Sequence, residues 1–455
     1  MAPTAELDAF LKKHPETAFI DVMFVDISGI LRGKRIPVAD ARGLFTSGMQ
    51  GPVSAITLSV IGHTDDPFGR GNSDGDPDQM FHPVPGTLAP APWLGPKVAQ
   101  VLTSFWRGDG SPEPSDPRQV LAGVIGRFEP LGLTPVVAVE LEFYLMDRER
   151  GPDGVPQAPI SPLTGRRMPQ HHSFGLAELE SISDIANDFS ATGEMQGLAT
   201  GTLIVEYSGG QFEVNLRHKP DAMRAADEGI LLQRLVRHVA MHHGLEATFM
   251  AKPYAEGAGS GLHFHISLLD RDGNNIFAVG DDPMRNTALR HAVGGLFETM
   301  NESMAFFAPN QNSYRRLAPG QFAPTGKCWA FDHRGVAIRI PSGPKDARRL
   351  EHRVAGADAE IHLAMACLLA GIHHGLTQKI VPPEPITGPV PDETDPDLPL
   401  DLPTALRLLG EARILPGYLG DDFCKLYVEA RRLEHAGLQA QIPPAEYAYY
   451  LRPDK

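Results

Sequence analysis

Residues 18–26 (AFIDVMFVD) are apolar except at Asp21 and Asp26 and read as a strand, and Leu31 to Val38 reads as a second. The turn Ile27-Ser28-Gly29 between the two runs predicts a hairpin that opens a small β-rich unit, preceded by a short helix at 5–14. Residues 62–92 are dense in Asp, Gly and Pro and read as an extended loop. Lys97 to Phe105 is strand-like again. The polar stretch GDGSPEPSDPR at 108–118 is the best break in the chain. It separates a small N-terminal unit, 15–108, from a large unit, 112–455.

Beyond the break, a helix is expected over 117–132 and a long strand from Thr134 to Met146, then a Gly/Pro loop at 148–170. Helical periodicity marks 176–189, 220–243, 284–303 and 356–375. Strand patterns mark 202–206, 211–216, 247–251, 262–269 and 335–341. Residues 382–403, rich in Pro and Asp, read as a surface excursion. The elements mix without a βαβ rhythm, so the expected class is α+β.

Composition narrows the function. The 455 residues carry a formal net charge of −15, which argues against nucleic acid as the main partner and is compatible with cationic substrates. Cys328, Cys367 and Cys424 are too few and too scattered for a disulfide framework or a Cys-type zinc site. The opening MAPTAELDAFLKKHPE lacks an apolar signal core, and no run of 18 uncharged apolar residues occurs. The expectation is a soluble, cytoplasmic protein with no membrane partner.

Several constellations carry chemistry. Glu140 and Glu142 in VVAVELEFYLM sit two apart on an apolar strand and face one way. Like charges so close repel unless a cation lies between them. A solvated strand face is the other reading, and the apolar flanks favour the metal. His263 and His265 in GSGLHFHISL repeat that spacing. Glu206 and Glu213 flank Ser208-Gly209-Gly210-Gln211, which would bring both carboxylates to one end of a sheet, or else form a plain hairpin with edge charges. Such oxygen-rich donors suit Mg²⁺ or Mn²⁺ better than zinc. Arg315, Arg316, Arg334, Arg339, Arg348, Arg349 and Arg353 form a cationic group in an acidic protein. Guanidinium groups grip carboxylate and phosphate. Carboxylates for metals and arginines for oxyanions suggest phosphoryl transfer from a nucleotide, although the chain has neither a GxxxxGK[ST] loop nor a GxGxxG fingerprint.

Together these segments resemble the glutamine synthetase family. The landmarks are VELEF (139–143), EYSGGQFE (206–213), FMAKPY (249–254), GSGLHFHIS (259–267), NSYRRLAPG (312–320), RGVAIRIP (334–341) and RRLEHRVAGADA (348–359), all in the family's order. The wording RGKRIP (32–37), VVAVELEFYLMDR (136–148), ATFMAKPY (247–254) and RVAGADA (353–359) is most similar to the γ-glutamylputrescine and γ-glutamylpolyamine synthetase branch, which ligates glutamate to amines other than ammonia.

The resemblance implies a β-grasp domain at 15–108 and, at 112–455, a catalytic domain with a curved antiparallel sheet flanked by helices. It implies homo-oligomeric rings, commonly a dodecamer of two hexamers. Glu142, Glu206 and Glu213 match positions of a first metal; Glu140, His263 and Glu351 match those of a second. His265 and Ser267 match nucleotide contacts, and Arg339 and Arg349 match positions on the ATP phosphates. Arg316, Arg334 and Arg353 match positions that hold the glutamate carboxylate or the moving phosphate, and Gly259 lies on the loop touching glutamate. Ammonia-using members carry a Glu that helps deprotonate ammonium, where this chain has Phe322. They also carry an Asp in a loop that here reads MQGPVSAI (49–56). An organic amine is therefore the expected nucleophile, as the third substrate beside L-glutamate and ATP. A base for it is unassigned, with Glu256 as a candidate. Residues 382–410 contain no Tyr, so the Tyr adenylylation switch of many bacterial members is expected to be missing. Two alternatives stand beside this reading. One is ammonia-dependent glutamine synthesis; the other is an inactive member with a structural or regulatory role.

Overall fold

The hairpin forms where the strand and turn signals place it. In the computed structural model, which describes residues 4–62, 66–152, 154–390, 395 and 397–451, Phe19–Val25 pairs antiparallel with Leu31–Pro37. Asp26 holds the turn by accepting from the N–H groups of Ser28 and Ile30 and from the Arg32 guanidinium. Gly29 there has φ of +76°, a conformation glycine adopts freely.

A six-stranded sheet grows from this hairpin. Its order is Leu31–Pro37, Phe19–Val25, Val98–Trp106, Asp78–Pro83 and Met49–Pro52, with Ala89–Pro90 also on Val98–Trp106. The expected loop at 62–92 thus contains a strand, Asp78–Pro83. Its pattern is too short and Pro-bounded to betray it, and pairing on both sides makes it a strand. Helix Val38–Ser47 also escaped the periodicity reading.

The second sheet has eight strands. The order is Trp329–Phe331, Ile338–Ile340, Leu350–His352, Leu262–Leu269, Thr134–Asp147, Gln211–Leu216 and Thr200–Val205, with Leu245–Thr248 on the far end of Thr134–Asp147. All pairs are antiparallel except Trp329–Phe331 with Ile338–Ile340. The fold is the expected α+β class. The helix expected over 117–132 ends at Gly126, and the one expected over 176–189 is two helices, Leu176–Ser181 and Ser183–Met195.

Helix Ala222–His242 covers the long central strand, and Thr287–Phe307 packs on the buried helix Ile361–Gln378. Those two helices meet through glycine. A Cβ on Gly295 would lie 2.0 Å from the Gly371 carbonyl oxygen, so only a bare backbone fits. The excursion expected at 382–403 has no regular element over 382–390, and residues 391–394 and 396 lie outside the described residues. Helices Leu402–Gly410, Asp421–Gln439 and Pro444–Tyr450 follow it. No helix among the described residues is long and apolar enough to cross a membrane.

Candidate active site

Strand register assembles the charged residues. Glu142 faces Glu213 across one strand pair, and Glu140 faces His263 across the next. His265 faces Glu351, and Glu351 faces Arg339. Because side chains two apart share a face, one row of acids, imidazoles and guanidiniums runs across five neighbouring strands. Glu206 joins the row from the tight turn after Thr200–Val205, its N–H donating to the Gln211 carbonyl at 2.9 Å.

Ligand atoms of Glu142, Glu206 and Glu213 all lie within 4.8 Å of one another. So do those of Glu140, His265 and Glu351, and those of Glu140, Glu213 and His263. The first trio is the expected one. For the second, the geometry groups His265 with Glu140 and Glu351, whereas the expectation paired His263 with them and gave His265 to the nucleotide. His265 Nε2 faces Glu140 Oε1 at 2.8 Å, inside ion-pair distance.

The electrostatics show the strain of assembling these acids. Burial pushes the Glu213 carboxyl up to about 9, reinforced by Glu140, Glu142 and Glu206. Burial, then the Glu142 charge, pushes Glu206 up to about 7. Burial works against ionisation of Glu140 too, yet hydrogen bonds from His263 and His265 hold it well below the usual range. Burial likewise opposes ionisation of Glu351, but the Arg353 charge wins and holds it near 2. A divalent cation among these groups would relieve the repulsion that burial sharpens. The residues therefore fit such an ion.

The arginines line up beside them. Arg339 donates to Glu351 at 2.7 Å and to Asp332 at 2.6 Å, and Arg353 donates to Glu351. The Nε–H groups of Arg339 and Arg353 are buried and have no partner among the described residues. Buried donors are almost always paired, so these two mark where an anionic oxygen would sit. Arg349 Nε donates to His265 Nδ1 at 3.0 Å. Arg316 is buried, donating to the Val354 and Arg353 carbonyls, and its side chain presses on Gly259, where a Cβ would lie 2.5 Å from Arg316 Cγ. Ser267 is buried on the His263 and His265 strand.

A cavity of about 570 Å³ opens over this row. The buried and half-buried Glu140, Glu142, Glu206, Glu213 and His263 make up its floor, and Gly259, Arg334 and Arg353 line it as well. Phe322 lines it as well. Glu256 is exposed and is not among the lining residues.

With that geometry in place, a family comparison decides the class: the model described as glutamine synthetase, catalytic domain, matches residues 114–450. The chain belongs to the glutamine synthetase family. It is 38% identical to γ-glutamylputrescine synthetase PuuA of Escherichia coli K12, over 99% of this chain and 95% of that protein. Glutamate–isopropylamine ligase of a Pseudomonas species is 30% identical, over 97% of this chain and 96% of that one. The solved GmaS/ADP complex in conformation 1 superposes with a TM-score of 0.83 at 27% identity, covering 99% of this chain and 100% of that one. Glutamine synthetase family members are ATP-dependent carbon–nitrogen ligases that use divalent metals, and this chain is such a ligase.

Sequence reasoning missed three contributors. Tyr207 and Phe174 line the cavity beside Phe322. Each carried a faint signal: Tyr207 follows a metal-type Glu, and Phe174 is a lone aromatic in a polar loop. The third is Lys252, only 6% exposed, whose Nζ donates to the Gly257 carbonyl and, at 2.5 Å, to Gln321. It ties the Gly259 loop to the Phe322 loop.

Proposed function

We propose that this ligase joins an organic amine to the γ-carboxylate of L-glutamate. One observation carries the reading. A cavity lined by carboxylates, imidazole and arginine has an aromatic residue, Phe322, at the position where the family resemblance puts the carboxylate of ammonia-using members. The relatives named for putrescine and isopropylamine support it.

In this reading Glu142, Glu206 and Glu213 would hold one Mg²⁺ or Mn²⁺, and Glu140 and Glu351 with His263 or His265 a second. Such ions supply positive charge against the phosphate chain. Arg339 and Arg349 bind the ATP phosphates, near His265 and Ser267 on the nucleotide side. Arg316, Arg334 and Arg353 hold the glutamate carboxylate and the phosphoryl group in transit. A glutamate γ-carboxylate oxygen attacks the γ-phosphorus, and the bond to ADP breaks. The product, γ-glutamyl phosphate, is an activated acyl group. The neutral amine attacks its carbonyl carbon, the C–O bond to phosphate breaks, and the nitrogen gives up a proton. Arginines oriented beforehand stabilise the charge that develops on oxygen.

The same reading assigns 15–108 to a small unit and 112–455 to the catalytic one. Its support is that the six-stranded sheet uses only Met49–Pro52 and other strands within 19–106, and the eight-stranded sheet only strands within 134–352. It also assigns the chain to a ring-shaped homo-oligomer, a dodecamer of two hexamers. Light scattering of the purified protein tests that assignment.

The decisive test is phosphate release with ATP, Mg²⁺ and glutamate, against ammonium and a panel of mono-, di- and polyamines. One or more organic amines should outrun ammonium. Turnover with ammonium alone would replace this reading by glutamine synthesis.

A further inference from the structure

We infer that Phe174 and Tyr207, together with Phe322, select the amine by its hydrocarbon chain. This rests on the amine-ligase reading and names the part of the substrate that the cavity mouth recognises.

Three segments distant in sequence bring these rings to the lining of one cavity. Phe174 is 72% exposed and Phe322 66% exposed. Large exposed apolar rings that line one cavity, two of them in contact, mark a place where something apolar docks. The Tyr207 ring stands edge-on to Phe322, with centroids 4.8 Å apart and planes at 65°. Its other side meets the His171 ring at 4.5 Å.

The backbone holds Phe174 in this lining against its own preference. His171 has φ of +67° and Phe174 of +60°, values that side chains other than glycine's rarely adopt. Such a conformation persists only where surrounding contacts impose it, and it clusters at ligand sites. The contacts are present here. The His171 N–H donates to the Tyr207 carbonyl at 2.8 Å, and the Phe174 N–H donates to the Val205 carbonyl at 2.9 Å. Beneath them Gly209 lets the loop lie close, since a Cβ there would come within 2.5 Å of the Met168 carbonyl oxygen. The loop is therefore clamped along Val205–Gly209, and Phe174 is placed before any ligand arrives.

The chemistry of the mouth complements that of the floor. Ser173 and Gln321 stand beside Phe174 and Phe322 in the chain and line the cavity with them, and Glu206 stands beside Tyr207. The other carboxylates that line the cavity, Glu140, Glu142 and Glu213, are buried or half-buried, and the reading above gives them to the metals beside the activated glutamate. An amine bound this way puts its nitrogen toward the floor and its methylenes against the rings. Ammonium has no methylenes and gains nothing from them. The preferred class is a primary alkylamine with several methylenes. Each methylene removed from water at a half-open site should raise kcat/KM roughly two- to fourfold.

The test is steady-state kinetics of the full-length enzyme with straight-chain primary amines, from methylamine to hexylamine. Wild type is compared with F174A, Y207A and the conservative F174L. In wild type, kcat/KM should climb by that factor with each methylene. F174A and Y207A should flatten the climb to less than about half its logarithmic slope, while F174L retains most of it and KM for glutamate and ATP stays within roughly twofold. Melting curves check that the variants remain folded, and F174A changes an exposed side chain. An unchanged slope in both alanine variants overturns the inference and leaves the ligase reading standing. A uniform loss for every amine with the slope kept also overturns it, because the rings would then be structural only. Wild type inert toward every amine overturns the ligase reading, and this inference with it.

Discussion

The floor and the mouth of the cavity are built by different means. Floor residues sit on neighbouring strands, and register alone sets their spacing: Glu142 opposite Glu213, Glu140 opposite His263, His265 opposite Glu351. A one-residue slip would turn the whole row away, so the buried sheet determines it strongly. Mouth residues sit on loops, held by single hydrogen bonds and strained backbone at His171 and Phe174. The floor suits chemistry common to a family, because charge placed on rigid strands costs no reorganisation at the moment of reaction. The mouth suits selection of one substrate over another, because a loop residue can change without disturbing the sheet.

The sharpest way to break this contrast is at the floor. Glu142→Ala should lower kcat/KM by about two to three orders of magnitude for every amine alike. Calorimetric titration with Mn²⁺ should show one binding event lost. Activity within roughly tenfold of wild type would remove Glu142 from the machinery.

A change at the mouth should act on preference instead. Phe322→Glu restores a carboxylate beside the nucleophile and removes an apolar wall. The ratio of kcat/KM for ammonium to that for butylamine should rise by about tenfold or more. A fall in both rates with a constant ratio would show that Phe322 does not discriminate.

The link between the two regions can be cut separately. Gln321→Leu removes the acceptor for Lys252 on the mouth side and leaves the Gly257 bond in place. KM for the amine should rise by about five- to tenfold, with KM for glutamate nearly constant. Lys252→Met should raise both. Equal effects from the two variants would mean that Lys252 acts only as a packing residue.

The smallest effect concerns pH and a buried charge cluster outside the cavity lining. His362 is buried, its ring nitrogens 2.8 Å from Glu360 and 3.0 Å from Asp227. Burial opposes its protonation, yet the Glu360 charge and the Asp227 hydrogen bond raise it to about 9. Its folded value lies above the unfolded one of about 6.5. Its stabilisation is thus full below the unfolded value and fades as pH climbs through about 9. Melting temperature should drop between those limits more steeply in wild type than in His362→Asn. Parallel curves would show that the ring is neutral throughout.

Much of the floor was legible in the chain. The pairs Glu140/Glu142 and His263/His265 announce themselves by period-two spacing on apolar strands, which says that both members face one way. Spacing could not say which histidine meets Glu351, because that depends on register between strands far apart in sequence. The pairing brings His265, not His263, opposite Glu351. The strand Asp78–Pro83 was hidden for a related reason: its own residues are ambiguous, and its partners make it a strand.

The mouth was legible only at Phe322, through its departure from a family pattern. Phe174 and Tyr207 lie 33 positions apart, and Tyr207 and Phe322 lie 115 apart. No local pattern joins them. Sequence alone determined the α+β class, the hairpin, the long central strand and the inventory of acids, histidines and arginines, because periodicity and residue type are local properties. Only the tertiary structure decided which of those groups lie close enough to share an ion, which arginine N–H groups have no partner among the described residues, and which rings line the cavity together. Those facts depend on the register of non-local strands and on loops clamped by distant backbone, and no window of the chain contains both sides of such a contact.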